Sequence, residues 1–404
     1  MKKRLSTLLV LIMLSTALLY AAQANRISPS GTVTIPRAEY ERLKQFEKLD
    51  EVKRYIDSYF YEEPDEQKML DGAVQGMLEG TGDAYTFYYP EEAWKTLWEE
   101  DSGKYAGIGV QMLGNYEDKA VTIIRVFKGT PAEAAGLRKG DVFYMVNDLE
   151  VTNASMQDAV KLMRGVPGEE VHVQVVREGQ VLSFDIIKAE ITVNRVESMM
   201  LDHQVGYIAL YEFAGHSYDD FKNAYDELKA QGMQSLLIDL RDNGGGWVDD
   251  GVKLADLFLD RVLLFYTEDR QGNQQKTYGT DGKDELPLVL LVNENSASTT
   301  EILSGALKDH GRATIVGVKT FGKGVIQNVM ELSDRVSGFQ FTVAQYFTPL
   351  GQQVHKEGIT PDVEALMPEE LQHSFFQLGD MTDPQLKAAY EQALALQAGA
   401  AAAR

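Results

Sequence analysis

Residues 288–327 read LVLLVNENSASTTEILSGALKDHGRATIVGVKTFGKGVIQ, and three structural signals follow one another inside them. Leu288-Val-Leu-Leu-Val292 is a short unbroken apolar run, the pattern of a strand covered on both faces. A small-residue turn follows and carries Ser298. Ser298-Thr-Thr-Glu301 then fits the S-x-x-E capping box, ahead of a helix over 302–310. Strand, tight turn and helix in that order place the turn's side chains at a strand end and aim helix N–H groups at them. Beyond the helix, Lys323 stands between Gly322 and Gly324, with Gln327 four residues later.

Upstream the same alternation continues. Residues 205–210 are strand-like, 218–230 helix-like, and Ser235-Leu-Leu-Ile-Asp-Leu240 is a buried strand. That strand runs into Arg241-Asp-Asn-Gly-Gly-Gly246, and 248–259 reads as the next helix. Residues 192–367 are therefore an α/β core. From 105 to 191 the pattern changes to short strands and turns: Ala120-Val-Thr-Ile-Ile-Arg-Val126, and Val171-His-Val-Gln-Val175 with strict alternation and one buried face. Between them lie Gly129-Thr-Pro-Ala-Glu-Ala-Ala-Gly-Leu-Arg-Lys-Gly-Asp141 and an apolar-periodic segment over 156–163. The block 101–191 resembles a PDZ domain, with Gly107, Ile108, Gly109 and Val110 as its carboxylate-binding loop. A glycine-rich loop exposes backbone N–H groups to a terminal carboxylate, and an extended peptide can then add to the sheet edge. A dinucleotide fingerprint fails there, because its third glycine would fall on Met112.

Residues 25–100 read as helical. Leu43, Phe46, Leu49, Val52, Tyr55 and Tyr59 recur at helical spacing, and Met69, Leu70, Ala73, Val74, Met77 and Leu78 form a second run. The leading helix suits a homodimer arm. An aromatic cluster, Tyr85 to Trp98, is read as packing. Residues 368–404 form a polar helical extension with an alanine-rich tail expected to fray. At the start, Lys2-Lys-Arg4, an apolar run over 8–20 and Ala22-Gln-Ala24 make a secretory signal peptide over 1–24, or an uncleaved membrane anchor. Either form exports the rest of the chain to an extracytoplasmic, bacterial-type location.

The net charge of -22 opposes nucleic acid or an anionic lipid surface as the main partner. No cysteine is present, which removes thiol nucleophiles, thiolate metal sites and disulfides. No metal or other cofactor is implied; H-E-x-x-H and comparable ligand sets do not occur. Gly317-Val-Lys-Thr-Phe-Gly322-Lys323-Gly324 nearly matches a P-loop, but Gly324 stands where a magnesium-binding Ser or Thr is needed.

Serine hydrolysis needs a hydroxyl, a base and oxyanion donors. Ser298 and Lys323 offer the first two, and the glycine turn helps with the third. Each residue also has a plain structural use: Ser298 as helix cap, Lys323 as a solvated lysine, Gln327 as a strand glutamine facing solvent. Ser296, Thr299 and Thr300 are rival hydroxyls. Lysine serves as a base at neutral pH only when burial lowers its pKa. The glycines flanking Lys323 would let the backbone pack closely and drive the side chain inward. His310 lies twelve residues beyond Ser298, roughly 18 Å along a helix, and cannot reach it. His203, His216, His355 and His373 carry no local signature.

Taken together, Asn293-Glu-Asn-Ser-Ala-Ser-Thr-Thr-Glu301, Thr320-Phe-Gly-Lys-Gly-Val-Ile-Gln327, Asp239-Leu-Arg-Asp-Asn-Gly-Gly-Gly246 and Gly358-Ile-Thr-Pro-Asp-Val363 resemble the C-terminal processing peptidases. That resemblance implies a crotonase-like α/β core, multi-domain α+β overall, with an inserted PDZ domain and helical ends. It implies Ser298 as nucleophile, Lys323 as general base and Gln327 as the residue orienting the lysine. It places the oxyanion hole at the N–H groups of Thr299 and Gly245, with Gly244 as the rival where the family commonly has proline. Protein substrates bound by their C-terminal tails are the implied partners, with a regulatory envelope protein as a further one. Such proteins switch between resting and active states through PDZ movement. The residues alone leave two alternatives: a catalytically idle PDZ protein that binds tails, and a Ser-His protease.

Overall fold

The computed structural model describes residues 33–114, 120–282, 284–371, 374 and 376–402. The signal-peptide reading of 1–24 and the candidate His373 lie outside the described residues. The chain divides into two compact units, Met1–Val74 and Gln75–Arg404.

In the first unit the helical spacing gives Arg37–Lys44, Glu47–Tyr59 and the beginning of Glu66–Glu79. Leu43 on the first helix and Leu49, Val52 and Tyr55 on the second are each about half exposed or more, so these apolar residues are not buried within this chain.

The second unit is built on a six-stranded, mostly parallel sheet. Val205–Leu210, Ser235–Asp239, Leu288–Val292, Thr314–Gly317 and Val363–Glu364 run parallel, and Val196–Leu201 closes one edge antiparallel. The two runs read as buried strands are buried at every position of Ser235–Asp239 and Leu288–Val292, and so is the strand-like run Val205–Leu210. Both faces must then be covered. On one face pack the helices Ser217–Ala230, Val248–Asp256 and Thr299–Asp309, through Phe221, Leu228, Leu254, Leu303 and Leu307. On the other lies the helix Pro384–Ala402, through Leu386, Ala389 and Ala393.

This last helix corrects the expectation of a polar extension, because it packs an apolar face against the sheet. Small alanines on its inner face let the backbone approach the sheet closely, and the helix runs unbroken through Ala402. It is anchored by ion pairing of Arg241 with Asp383 at 2.7 Å, and Gln385 donates to the Ala365 carbonyl at 2.9 Å.

A second sheet joins Leu263–Asp269, Gln274–Tyr278, Val325–Glu331 and Gly338–Phe347 to the short strand Phe87–Tyr89. That strand interrupts the helical reading of 25–100. The aromatic cluster around it does serve packing. Tyr89, Trp94 and Trp98 contact in series, and Trp98 stacks on Trp247. Gly338 is required here, because a Cβ on it would sit 2.2 Å from the Trp94 ring.

The third sheet has the order Val110–Gly114, Val121–Val126, Val142–Val146, Glu170–Arg177, Gln180–Ile187. Its own core holds Ile123, Phe143, Val173 and Ala159, the last from the helix Met156–Met163. No helix among the described residues is long and apolar enough to cross a membrane.

Candidate active site

The strand Leu288–Val292 delivers the chain into a turn locked against the glycine turn beside it. Ser296 is fully buried; its hydroxyl donates to the Leu240 carbonyl at 2.7 Å and accepts from the Asn293 N–H at 2.9 Å. Thr299 Oγ1 donates to the Gly246 carbonyl at 2.8 Å, and Thr300 Oγ1 to the Asn243 carbonyl at 3.0 Å. The three rival hydroxyls are thus committed to joining the two turns.

Ser298 differs from them. It precedes the first helical residue with φ 57° and ψ −118°, whereas an ordinary N-cap is extended with negative φ. A non-glycine residue held there stores strain of order 1–3 kcal/mol, and such strain clusters at functional sites. A plain capping serine needs no such conformation.

Glu301 makes the strained turn stable and ties it to the lysine. Its side chain has no exposure, and it accepts four hydrogen bonds. Oε2 receives the N–H of Ser298 and the N–H of Lys323, each at 2.9 Å. Oε1 receives Thr320 Oγ1 at 2.6 Å and the Gly322 N–H at 2.7 Å. Burial raises its carboxyl above the usual range, and the four donors oppose that rise. Tyr346, also buried, bridges the same two residues from the other side: its hydroxyl lies 3.0 Å from the Ser298 carbonyl and 2.9 Å from the Lys323 carbonyl.

Lys323 is partly buried. Burial pushes its ammonium below the ordinary lysine range, against the opposing carboxylates of Asp83 and Glu301. Its Nζ stands 4.8 Å from the Tyr85 ring centroid, within cation–π range, and makes no hydrogen bond to Ser298 Oγ in this arrangement. Gln327 follows at the start of the strand Val325–Glu331; its Nε2 donates to Thr342 Oγ1 at 3.1 Å rather than to the lysine.

Gly245 has φ +99° and backs directly onto the serine turn: a Cβ on it would fall 2.7 Å from Ser298 Cβ and 2.9 Å from the Thr299 nitrogen. Thr299 is the first helical residue, so its N–H has no partner within the helix. The Gly245 N–H, however, donates to Asn243 Oδ1 at 2.9 Å and is not free in this arrangement. Gly244 is exposed beside it.

A cleft of about 610 Å³ joins this turn to the third sheet, lined by Gly244, Gly245, Gly246 and Lys323 on one side and by Val110, Arg125 and Arg164 on the other. Gly107 ends the strand Lys104–Gly107, Ile108 is buried, Gly109 has φ +91° and Val110 opens the edge strand. Among the described residues that strand is paired on one side only.

No histidine among the described residues is hydrogen-bonded to Ser298; His310 bonds the Leu263 carbonyl and His172 pairs with Asp185. No group of three or more carboxylates and histidines among those residues could hold a metal. Sequence reading gave no site role to Asp83, Tyr85 or Tyr346, and gave Glu301 only its capping role. The S-x-x-E spacing signals that cap, but nothing local signals the Lys323 half of its bonding.

The model for peptidase family S41 matches residues 204–365, that for the PDZ domain 106–187, and that for the activating protease CtpB N-terminal domain 13–93. The chain is 31% identical to the carboxy-terminal processing protease CtpA of Bacillus subtilis, over 91% of this chain and 79% of that protein. It is 34% identical to the carboxyl-terminal-processing protease of Synechocystis, over 79% of this chain and 75% of that one. The solved photosystem II D1 C-terminal processing protease superposes with a TM-score of 0.54 at 29% identity, covering 87% of this chain and all of that chain. The chain has a mixed α/β core, a PDZ domain and helical ends, and by these similarities it belongs to peptidase family S41, as a carboxyl-terminal processing serine protease.

Proposed function

We propose that the chain captures protein C-terminal tails with its PDZ domain and cuts them with Ser298 as nucleophile and Lys323 as general base. The observation that carries this reading is the shared carboxylate of Glu301, which holds the backbone N–H groups of both residues on one oxygen atom. Fixing two backbones to one buried acceptor sets the distance between a serine and a lysine that lie far apart in sequence.

The chemistry follows from the groups present. Burial favours neutral Lys323, whose Nζ lone pair takes the Ser298 proton as Oγ attacks the scissile carbonyl. The carbonyl oxygen becomes anionic near the Thr299 N–H, where the helix N-terminus favours negative charge. The ammonium returns its proton to the leaving amine, and the acyl-enzyme forms as the C–N bond breaks. Water then gives a proton to the same lysine and attacks the ester carbonyl, and the ammonium returns that proton to Ser298 Oγ as the C–O bond breaks.

Two features of the arrangement belong to a resting state. Nζ sits over Tyr85, and the Gly245 N–H is occupied by Asn243. Activation moves Nζ from the ring toward Oγ and frees a glycine N–H. The cleft shared by Lys323 and the PDZ residues is the route by which a bound tail would bias that change.

Tail capture is tested with one substrate made in two forms, with a free C-terminal carboxylate and with a C-terminal amide. Loss of a charge-assisted carboxylate contact of about 1.5–3 kcal/mol should raise KM roughly ten- to a hundredfold for the amide, with kcat little changed. Equal KM values for the two forms would rule out carboxylate recognition by the PDZ loop.

A further inference from the structure

We infer that Asp83 and Thr342 are positioning residues that fix which end of the Gln327 side-chain amide is turned toward Lys323. This inference rests on the serine–lysine reading above and adds to it the device that sets the lysine's neighbour.

The direction of each hydrogen bond fixes the next. Asp83 Oδ2 accepts from Thr342 Oγ1 and from Thr86 Oγ1, each at 2.6 Å, and Oδ1 accepts from the Tyr85 N–H at 3.3 Å. An ionised carboxylate can only accept. Burial works against ionisation of Asp83, but the two hydroxyls, the Tyr85 N–H and nearby His355 together hold the carboxyl below its usual range. The single proton of the Thr342 hydroxyl is therefore spent on Asp83. Only lone pairs remain on Thr342 Oγ1 for its contact with Gln327, so the amide must present Nε2 there, at 3.1 Å. Its Oε1 then points away from Thr342. An acceptor is what Lys323 needs from Gln327: the flipped amide would offer N–H groups, which repel the ammonium and, in the neutral amine, occupy the lone pair that must take the Ser298 proton.

Placement supports the same conclusion. Gln327 and Thr342 are direct cross-strand partners, so their side chains share a face, and a register shift between Ile326 and Gln327 aims the glutamine locally. The turn that carries Asp83 also carries Tyr85, whose ring lies beneath Lys323 Nζ. That turn is stitched to the strand Gly338–Phe347 by three more bonds. Gln340 Nε2 donates to the Tyr85 carbonyl, Tyr89 donates to Gln340 Oε1, and the Thr342 N–H donates to Thr86 Oγ1. A segment far upstream of the core thus holds the lysine's surroundings. The charged and titratable groups facing Lys323 are Asp83 and Glu301; Tyr85 lies beneath it, Tyr346 bonds its carbonyl, and His355 acts on Asp83.

The full chain is assayed for kcat, KM and pH profile on a tailed protein substrate. Thr342→Val keeps the shape but removes the hydroxyl, and should lower kcat on the order of tenfold or more with KM unchanged. Thr342→Ser should restore most of that loss, which a purely packing role would not do. Asp83→Asn should move the acid limb of kcat to lower pH, because a carboxylate that favours the lysine ammonium is gone, and should also lower the plateau. A Thr342→Val enzyme with wild-type kcat, or a Thr342→Ser enzyme as impaired as Thr342→Val, overturns the relay. If Thr342→Val does not fold, an unshifted acid limb and unchanged plateau in Asp83→Asn overturn it instead. Ser298→Ala and Lys323→Ala run alongside: cleavage by either defeats the serine–lysine reading, whereas two dead controls beside a fully active Thr342→Val defeat the relay alone.

Discussion

Ser298→Ala is expected to abolish tail cleavage, with a fall in kcat of roughly 10⁴-fold or more, while the protein remains folded. The expectation rests on separating what the serine does for structure from what it does for chemistry. The turn is held by the Ser296, Thr299 and Thr300 hydroxyls and by the Ser298 backbone N–H and carbonyl, none of which the substitution removes. Ser298→Gly should be equally inactive and more stable than Ser298→Ala by about 1 kcal/mol, since φ 57° and ψ −118° strain any residue with a Cβ. Cleavage rates and thermal unfolding of the two variants decide the matter. Retained activity in either would show that the strained residue serves only the fold.

Glu301→Gln is expected to cost both stability and activity, because no orientation of an amide fits four donors. With its NH₂ at the Oε2 position, the N–H groups of Ser298 and Lys323 both lose their acceptor. With NH₂ at the Oε1 position, the Gly322 N–H loses its acceptor, and Thr320 Oγ1, which also accepts from the Ile359 N–H at 2.7 Å, must turn its own proton elsewhere. Each buried donor left unmade costs about 1–3 kcal/mol. The loosened spacing of the two turns should lower kcat by about 10²-fold, the order seen when reacting groups shift by an ångström. Denaturant unfolding and steady-state kinetics read the two effects separately. Wild-type kcat in a destabilised Glu301→Gln enzyme would mean that the carboxylate supports the fold without setting the site.

Much of this architecture was legible because it is written in local patterns. Leu288-Val-Leu-Leu-Val292 has the length and apolar continuity of a strand covered on both faces, and Ser298-Thr-Thr-Glu301 carries the spacing of a helix start. The C-terminal helix was misread for a related reason. Its fully buried apolar positions are Leu386, Ala389 and Ala393, with Tyr390 and Leu394 packed beside them, and the alanines that a close approach to the sheet requires do not stand out from those of the exposed tail. The support for the lysine was not legible at all. Asp83 and Thr342 are 259 residues apart, and nothing in Gly-Asp-Ala-Tyr-Thr foretells a strand partner at that distance. Glu301 shows the same limit within one residue, since its cap to Ser298 is a spacing and its bond to Lys323 is a tertiary contact.

The role of Lys323 is tested most directly by the acylation of Ser298 itself. Enzyme mixed with an activated ester of a tail peptide is quenched at intervals, and the acyl group is located by peptide mass mapping in the wild type and in Lys323→Ala across a pH series. The account predicts an acyl adduct on Ser298, a rate that rises with pH through an ionisation below the ordinary lysine range, and loss of that pH-dependent acylation in Lys323→Ala. An adduct on another residue, or acylation of Ser298 at the wild-type rate in Lys323→Ala, would contradict it.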